Sequence, residues 1–481
     1  MFRLEYKWLV GITFVLGLVM QILDITILNV ALATLGREFG VDASTLQWVL
    51  TGYMLSLAVF IPSSGWIADR FGSKRTFLLA VVIFTTASVL CGFAGSIWML
   101  IASRVLQGVG GGMLVPVGQA MLFRAFPAHE RAKASAVLAI PITVAPALGP
   151  MLGGALAEYA SWRWIFFINV PVGALTLVFT VLFLKEERRG RPGRFDLPGF
   201  VLAGGGLATL LYGLDQGAQA GWSVPTVWGS LLAAALLLAG LTWRELSVDE
   251  PMLDLRLLRN RLFGTGNALL VCQVASLFGV LFLVPLYLQD VLHVSPFTAG
   301  LVLMPQAVAM LLATQVVSRM YGRIGPRRLL LTGFCLEIPV YLCLQLLGTG
   351  TPLVVVVVLL ALLGTSVGIL MTPMQTAAFA QVSVAEMGHA SSMYNVSRQV
   401  ATALGTAVFA TTLVVVTDAA GGGAPAHAQM AGFHGAFLVA VVFGLLALAL
   451  STRVRDSDAA ASLDPSHPEA ARAASPTGEV R

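Results

Sequence analysis

Apolar residues run along the chain in stretches of about twenty, divided by short segments that hold charge, proline and glycine. A bilayer core of about 30 Å is crossed by roughly 20 residues of helix. Stretches of that length predict membrane spans, because backbone amides in lipid must be satisfied within the segment itself. Fourteen stretches qualify: residues 9–33, 45–65, 76–94, 97–122, 132–156 and 164–184, a central pair at 198–215 and 225–243, then 263–288, 297–319, 328–347, 352–379, 387–416 and 433–450. The first is too long for the apolar core of a signal peptide and leads straight into further spans. The segment 452–481 is rich in Ala, Ser, Pro and Asp, and a disordered tail is expected there.

Composition gives the same answer. Of 481 residues, 57% are hydrophobic and 11% charged, against roughly 25% charged in an ordinary soluble domain. That is too little charge to solvate a globule of this length, so the chain reads as an all-α integral membrane protein. Its four cysteines (Cys91, Cys272, Cys335, Cys343) lie inside apolar runs and read as small buried hydrophobes, without disulfide or metal. The six histidines are scattered, with no metal-binding pair, nucleophile elbow or Cys pair among them, so an enzyme is not expected and no cofactor is called for.

Placement of the basic residues sets the topology. On the fourteen-span reading, 25 of the 29 Lys and Arg fall on one face, two (Arg37 and Arg163) on the other, and two within spans. Cytoplasmic loops carry such an excess, which puts both termini in the cytoplasm and the protein in the inner (plasma) membrane. Because topology accounts for the basic charge, nucleic acid is not a partner.

One basic loop occurs twice. The segment Gly65-Trp66-Ile67-Ala68-Asp69-Arg70-Phe71-Gly72-Ser73-Lys74-Arg75 follows the second span, and Gly322-Arg323-Ile324-Gly325-Pro326-Arg327-Arg328 follows the tenth. Aligning Gly72 with Gly325 matches Arg70 to Arg323, Lys74 to Arg327 and Arg75 to Arg328, while Gly322 stands where the first copy has Asp69. Two copies on one face imply a parallel repeat about an axis along the membrane normal. The expected organisation is a six-helix bundle over 1–190, a two-helix insertion over 191–261, a second six-helix bundle over 262–451 and the tail. Such a duplicated body suits a secondary transporter. Asp69 can accept bonds from Arg70 or from a helix N-terminus, a contact suited to a gate.

Charge inside a span costs roughly 2.5–3.5 kcal/mol on insertion scales and marks function by default. Asp24, Arg104, Glu337 and Arg398 are the clear cases. Asp24 lies on a polar seam with Thr26 and Asn29, and is either a helix-to-helix hydrogen bond or a carboxylate that loads and releases protons. Arg104 shares its helix face with Gln107 and Gly108, as a cavity-lining site or a structural counter-ion. Glu337 is a second protonation site or the partner of a neighbouring polar group. Arg398, near Asn395, is a substrate contact or a structural tie. In the fifth span, Pro146, Gly149, Pro150, Gly153 and Gly154 form a small-residue face that allows close helix approach, as tight packing, a hinge, or both.

At these residues the chain resembles the major facilitator superfamily. The Gly65–Arg75 loop, the Arg104–Gly112 stretch and Gly149-Pro150-Met151-Leu152-Gly153-Gly154 are similar to signatures of that superfamily, the last to one of its drug and antiporter branches. The run 23–31 and Trp162-Arg163-Trp164-Ile165-Phe166-Phe167-Ile168-Asn169-Val170-Pro171 resemble its fourteen-spanner drug:proton antiporters, with Ala145 and Ala33 departing from the usual glycine and proline. The resemblance implies the major facilitator fold with two extra central helices, functional as a monomer, expelling amphipathic, often cationic small molecules under the proton gradient. It implies proton coupling by Asp24 and Arg104, a cytoplasmic gate at Asp69 and Arg70, and export-specific packing at 149–154; the reading of the residues themselves adds Glu337 to the coupling, a substrate cavity at Asn29, Gln107, Asn395 and Arg398, and Gly65, Gly72, Lys74 and Arg75 to the gate. An exporter of one metabolite (an antibiotic, amino acid, sugar or lipid) is the alternative.

Overall fold

The structure is a computed structural model and describes residues 5–159, 161–186, 194–248, 251–420 and 425–463. Among the described residues the regular structure is entirely helical. The first group comprises α1 (Tyr6–Phe39), α2 (Ala43–Phe60), α3 (Ser64–Phe71), α4 (Ser73–Gly92), α5 (Ile97–Ala125), α6 (Arg131–Tyr159), α7 (Arg163–Phe167) and α8 (Asn169–Phe183). A pair, α9 (Leu197–Ala220) and α10 (Pro225–Ser247), follows. The last group is α11 (Arg261–Leu286), α12 (Pro296–Ile324), α13 (Pro326–Leu344), α14 (Leu353–Ala378), α15 (Met387–Ala419) and α16 (Pro425–Ser451). Prolines 116, 285, 305, 339 and 373 lie inside these helices, as membrane helices tolerate when neighbours satisfy the freed carbonyls.

Eleven helices among the described residues are long and apolar enough to cross a membrane, or twelve if α2 and α3, bent by 55° at their break, count as one span. Two long helices stand outside that number: α6, several of whose side chains are not described, and α13, which carries Arg327, Arg328 and Glu337.

Within the first group α1 packs on α5, α6 and α8, and α5 on α2 and α4; within the last, α11 packs on α14, α15 and α16, and α12 on α14. The pair α9–α10 lies together, with α9 touching α2 on one side and α15 on the other. The two groups meet through α6 against α12 and α14, and through α5 and α3 against α15.

Backbone geometry repeats with the duplicated loop. Gly72 (φ 97°, ψ 141°) and Gly325 (φ 85°, ψ 156°) each end one helix and begin the next. A positive φ of this kind strains any residue with a Cβ, which explains glycine at both positions. A carboxylate then caps the helix that follows. Lys74 N donates to Glu186 Oε1 at 3.2 Å and Arg327 N to Asp456 Oδ1 at 3.0 Å. Glu186 follows α8 and Asp456 follows α16, so the repeat includes an acidic residue that aligning the loops alone does not reveal.

Asp456 also corrects the expected tail. Residues Asp456–Ser462 form a 3-10 turn. The Tyr321 and Ser462 hydroxyls are 2.9 Å apart and buried, and Leu463 packs with Ala132, Val317, Tyr321 and Leu329. Disorder from residue 452 is therefore wrong as far as 463: composition favours disorder, but the second loop supplies a helix N-terminus and an apolar seat. At the other end of the chain, Lys7 and Lys133 both bond Glu130. These hydrogen bonds, Lys7 first, hold the Glu130 carboxyl below the usual carboxylate range and tie α1 to the turn before α6.

Candidate functional site

The first cluster joins α1, α4, α5 and α8. Asp24 Oδ2 accepts from Arg104 Nη1, and Asp24 Oδ1 accepts from Gln107 Nε2 at 2.8 Å and Asn169 Nδ2 at 2.9 Å. Arg104 Nη1 also donates to Gln107 Oε1 at 2.6 Å and Arg104 Nε to the Val49 carbonyl at 3.1 Å, while its guanidinium lies 4.3 Å from the Tyr53 ring centre. Gln107 Nε2 further reaches Ser88 Oγ at 2.7 Å. Asp24, Arg104, Gln107 and Ser88 are fully buried. A buried ion pair persists only when hydrogen bonds satisfy its remaining polar atoms, and here one remains open: Arg104 Nη2 has no partner.

Glycines let the helices close on this cluster. A Cβ at Gly108 would sit 2.6 Å from the Tyr53 carbonyl, and one at Gly153 would sit 2.8 Å from the Ile27 carbonyl. Gly149 seats against Thr26 in the same way. The fifth-span glycines thus pack on α1 within one turn of Asp24, and α6 runs unbroken through its three prolines. Asn29, Pro146, Pro150 and Gly154 belong to α1 and α6, but what surrounds them lies outside the description.

A second carboxyl occupies the last group. Glu337 is fully buried on α13; its Oε1 accepts from Gln273 Nε2 at 2.8 Å and from the Tyr341 hydroxyl at 2.9 Å, and its Oε2 has no partner. Among the described residues no cation pairs with it. It does not join the Asp24 cluster.

The third cluster closes one end of the molecule, the end that carries the duplicated basic loops. Asp69 Oδ1 accepts from Arg124 Nη2 at 3.3 Å, and His389 Nε2 lies 4.0 Å from Asp69 Oδ2. Arg124 also donates to Ser73 Oγ at 3.0 Å and to the Val384 carbonyl at 3.2 Å, tying the first group to the last. Asp69 therefore pairs with Arg124, not Arg70, which is exposed. Lys74 Nζ donates to the carbonyls of Val181 and Leu184 at 2.8 and 2.7 Å, and Arg75 lies 3.6 Å from Glu186. Both basic residues thus anchor this face within the first group and do not reach across to the last. Gly65 meets the last group directly: a Cβ there would be 3.0 Å from the Gly388 backbone. Further in, Ser64 and Ser392 hydroxyls are 2.9 Å apart, Asn395 Nδ2 donates to Gln119 Oε1 at 2.6 Å, and Arg131 Nη1 to the Phe379 carbonyl at 2.6 Å. Among the described residues the hydrogen bonds between the two groups all lie toward this basic end.

Sequence reading located Asp24, Arg104, Gln107, Glu337, Asp69 and Asn395 and missed most of their partners: Asn169, Ser88 and Tyr53 around Asp24, Gln273 and Tyr341 around Glu337, Gln119 beside Asn395, and Arg124 and His389 beside Asp69. Asn169 stands in a stretch that resemblance had singled out. Arg124 was hidden among basic residues that orientation alone explains.

Two helical groups meeting at a seam, each with a carboxyl buried in the middle of a helix and sealed together at one end, make a multi-pass membrane carrier. Residues 14–406 match the Major Facilitator Superfamily, and the chain belongs to that superfamily of transporters. It is 36% identical over 408 residues to a Mycobacterium tuberculosis protein named multidrug resistance protein B homolog, covering 83% of this chain and 75% of the relative. It is 32% identical over 451 residues to an uncharacterized MFS-type transporter, YcnB, of Bacillus subtilis, covering 93% and 95%. The fold matches the crystal structure of the human organic anion transporter MFSD10 with a TM-score of 0.65 at 18% identity, over 92% of this chain and 99% of that one.

Proposed function

We propose that the protein is a proton-coupled exporter of amphipathic small molecules, a monomer in the cytoplasmic membrane of the cell with both termini inside. The observation that carries this reading is the buried Asp24–Arg104 pair, set where α1 seats on α6. A proton arriving on Asp24 Oδ2 removes the acceptor of Arg104 Nη1 and leaves the guanidinium to find another. The bond between α1 and α5 then loosens, and α1 can shift on the small residues of α6. Glu337 Oε2, which lacks a partner, offers a place for a second proton in the other group. An exchange cycle needs only that protons and cargo favour different states. No cofactor is involved, because the gradient supplies the energy.

With the basic face cytoplasmic, the Asp69–Arg124 cluster is the inner gate, and this conformation is closed to the cytoplasm. The resemblance to fourteen-spanner drug:proton antiporters and the multidrug-resistance names of relatives such as the M. tuberculosis homolog support export. On this reading α6 and α13 are spans as well, giving fourteen, with bundles at 1–190 and 262–451 and an insertion at 191–261. Proteoliposomes loaded with an amphipathic dye and given a pH gradient of either sign test the reading. Dye is expected to move against the proton flow in both cases, reversing when the gradient reverses; movement indifferent to the gradient would overturn it.

A further inference from the structure

Resting on the export reading above, we infer that Arg398 anchors a negatively charged group on the cargo, so that the preferred substrates are amphipathic compounds bearing a carboxylate or a similar oxyanion. Arg398 lies on α15, eleven residues beyond Met387, which places it about 16 Å along the helix from the basic end. Its position on that helix is bracketed by contacts. Gly405, two turns further on, rests on Ala275 of α11. Ser391 donates to the Pro116 carbonyl of α5 at 2.8 Å, and Asn395 bonds Gln119 of the same helix. Helix periodicity sets Arg398 between those two directions, on the face of α15 turned to the seam where the two groups meet, and just beyond the last of the bonds that seal the basic end. Val396, Val400 and Ala403, on the opposite side of α15, pack against Leu207, Leu211 and Ala58.

Among the described residues no hydrogen bond or ion pair engages the Arg398 guanidinium; only its carbonyl is used, accepting from Thr402 Oγ1 at 3.0 Å. The side chain is partly exposed, although Tyr394, Asn395, Ala401 and Gly405 around it are buried. A cation at this depth with no counter-ion is expensive, and such groups occur where they face a water-filled path or a ligand. The carboxylates of the spans cannot neutralise it. Asp24 is saturated by Arg104, Gln107 and Asn169 in the opposite group, and Glu337 is sealed against Gln273 and Tyr341. Asp215 accepts from Gln47 and Thr51 between α2 and α9. Among the described residues the carboxylates thus leave Arg398 without a counter-charge, and its guanidinium, unlike that of Arg131, which is buried and donates to the Phe379 carbonyl, has no acceptor at all. A guanidinium offers a planar fork of donors matched to carboxylate, sulfonate or phosphate, and it repels the cationic drugs that resemblance alone would suggest.

The test uses the full chain in detergent and two probes differing by one negative charge, a rhodamine with a free carboxylate and the same dye as its methyl ester, with binding read by fluorescence polarisation. The acid is expected to bind at least about tenfold more tightly than the ester, as for a charge-assisted hydrogen bond. Arg398→Gln is expected to lower the acid to the ester's affinity, while Arg398→Lys keeps the charge, loses the fork and retains part of the preference. A wild-type protein that binds the ester as well as the acid, or binds neither, overturns the assignment without recourse to any variant. So does an Arg398→Gln protein that keeps the preference. If the preference holds but no pH gradient drives uptake, proton coupling fails and the anionic anchor stands. If pH-driven uptake holds without the preference, the anchor fails alone.

Discussion

Asp24→Asn is expected to abolish uphill, pH-driven transport while leaving downhill exchange of dye measurable. The amide keeps the shape of the carboxyl and can accept from Arg104, but it cannot gain or lose a proton in the physiological range. It also leaves a buried guanidinium without a counter-charge. Breaking a buried pair by removing one member costs about 3–5 kcal/mol, so thermal unfolding in detergent should fall as well. Adding Arg104→Gln removes the orphaned charge and should recover much of that stability without restoring coupling. The double variant thus separates the structural from the functional role of the pair. An Asp24→Asn protein that still accumulates dye against its gradient would remove this residue from the coupling mechanism.

Gly65→Leu is expected to prevent closure of the basic end. The added Cβ would lie 3.0 Å from the Gly388 carbonyl carbon and oxygen and 3.1 Å from Ser392 Oγ. The obstacle is backbone, which cannot swing aside as a side chain could. Overpacking of this kind costs about 1–3 kcal/mol, enough to shift the balance between closed and open states by roughly fivefold to a hundredfold. A cysteine placed at Thr402, further along α15 than the sealing bonds and bonded only within its own helix, should then react with a membrane-impermeant maleimide from the basic face. Transport should fall by at least about fivefold. Unchanged labelling and unchanged transport would show that the Gly65–Gly388 contact does not limit the cycle.

The parts of this molecule that were legible in the sequence are those whose cost is high or whose pattern repeats. Spans show as apolar runs because lipid leaves the backbone no other partner, and the two loops align because both need a positive-φ glycine between helices. Asp24, Arg104, Glu337 and Arg398 stand out because a charge in lipid is expensive. Asn169 and Ser88 carry no comparable penalty, so nothing in the chain alone tied them to Asp24, which lies 145 and 64 positions away. Arg124 looked like one more orientation charge, which is why Asp69 was assigned Arg70 as a candidate partner. The docked turn at 456–463 was illegible for a further reason. Its order is supplied by Tyr321, Arg327 and Gln381, none of them close to it in the chain. Fewer than fourteen helices pass as spans because α2 and α3 are bent at their break, several side chains of α6 are not described, and α13 carries Glu337 in its interior and two arginines at its start.

The central claim is that protons and cargo exclude one another through the buried carboxyls. It is tested most directly by counting protons when cargo binds to detergent-solubilised protein in weakly buffered solution, read with a pH-sensitive dye. Binding of an amphipathic substrate is expected to release protons from the wild-type protein, with less release from Glu337→Gln and less again from Asp24→Asn. Saturating binding with no proton release from the wild type across the neutral range would contradict the account.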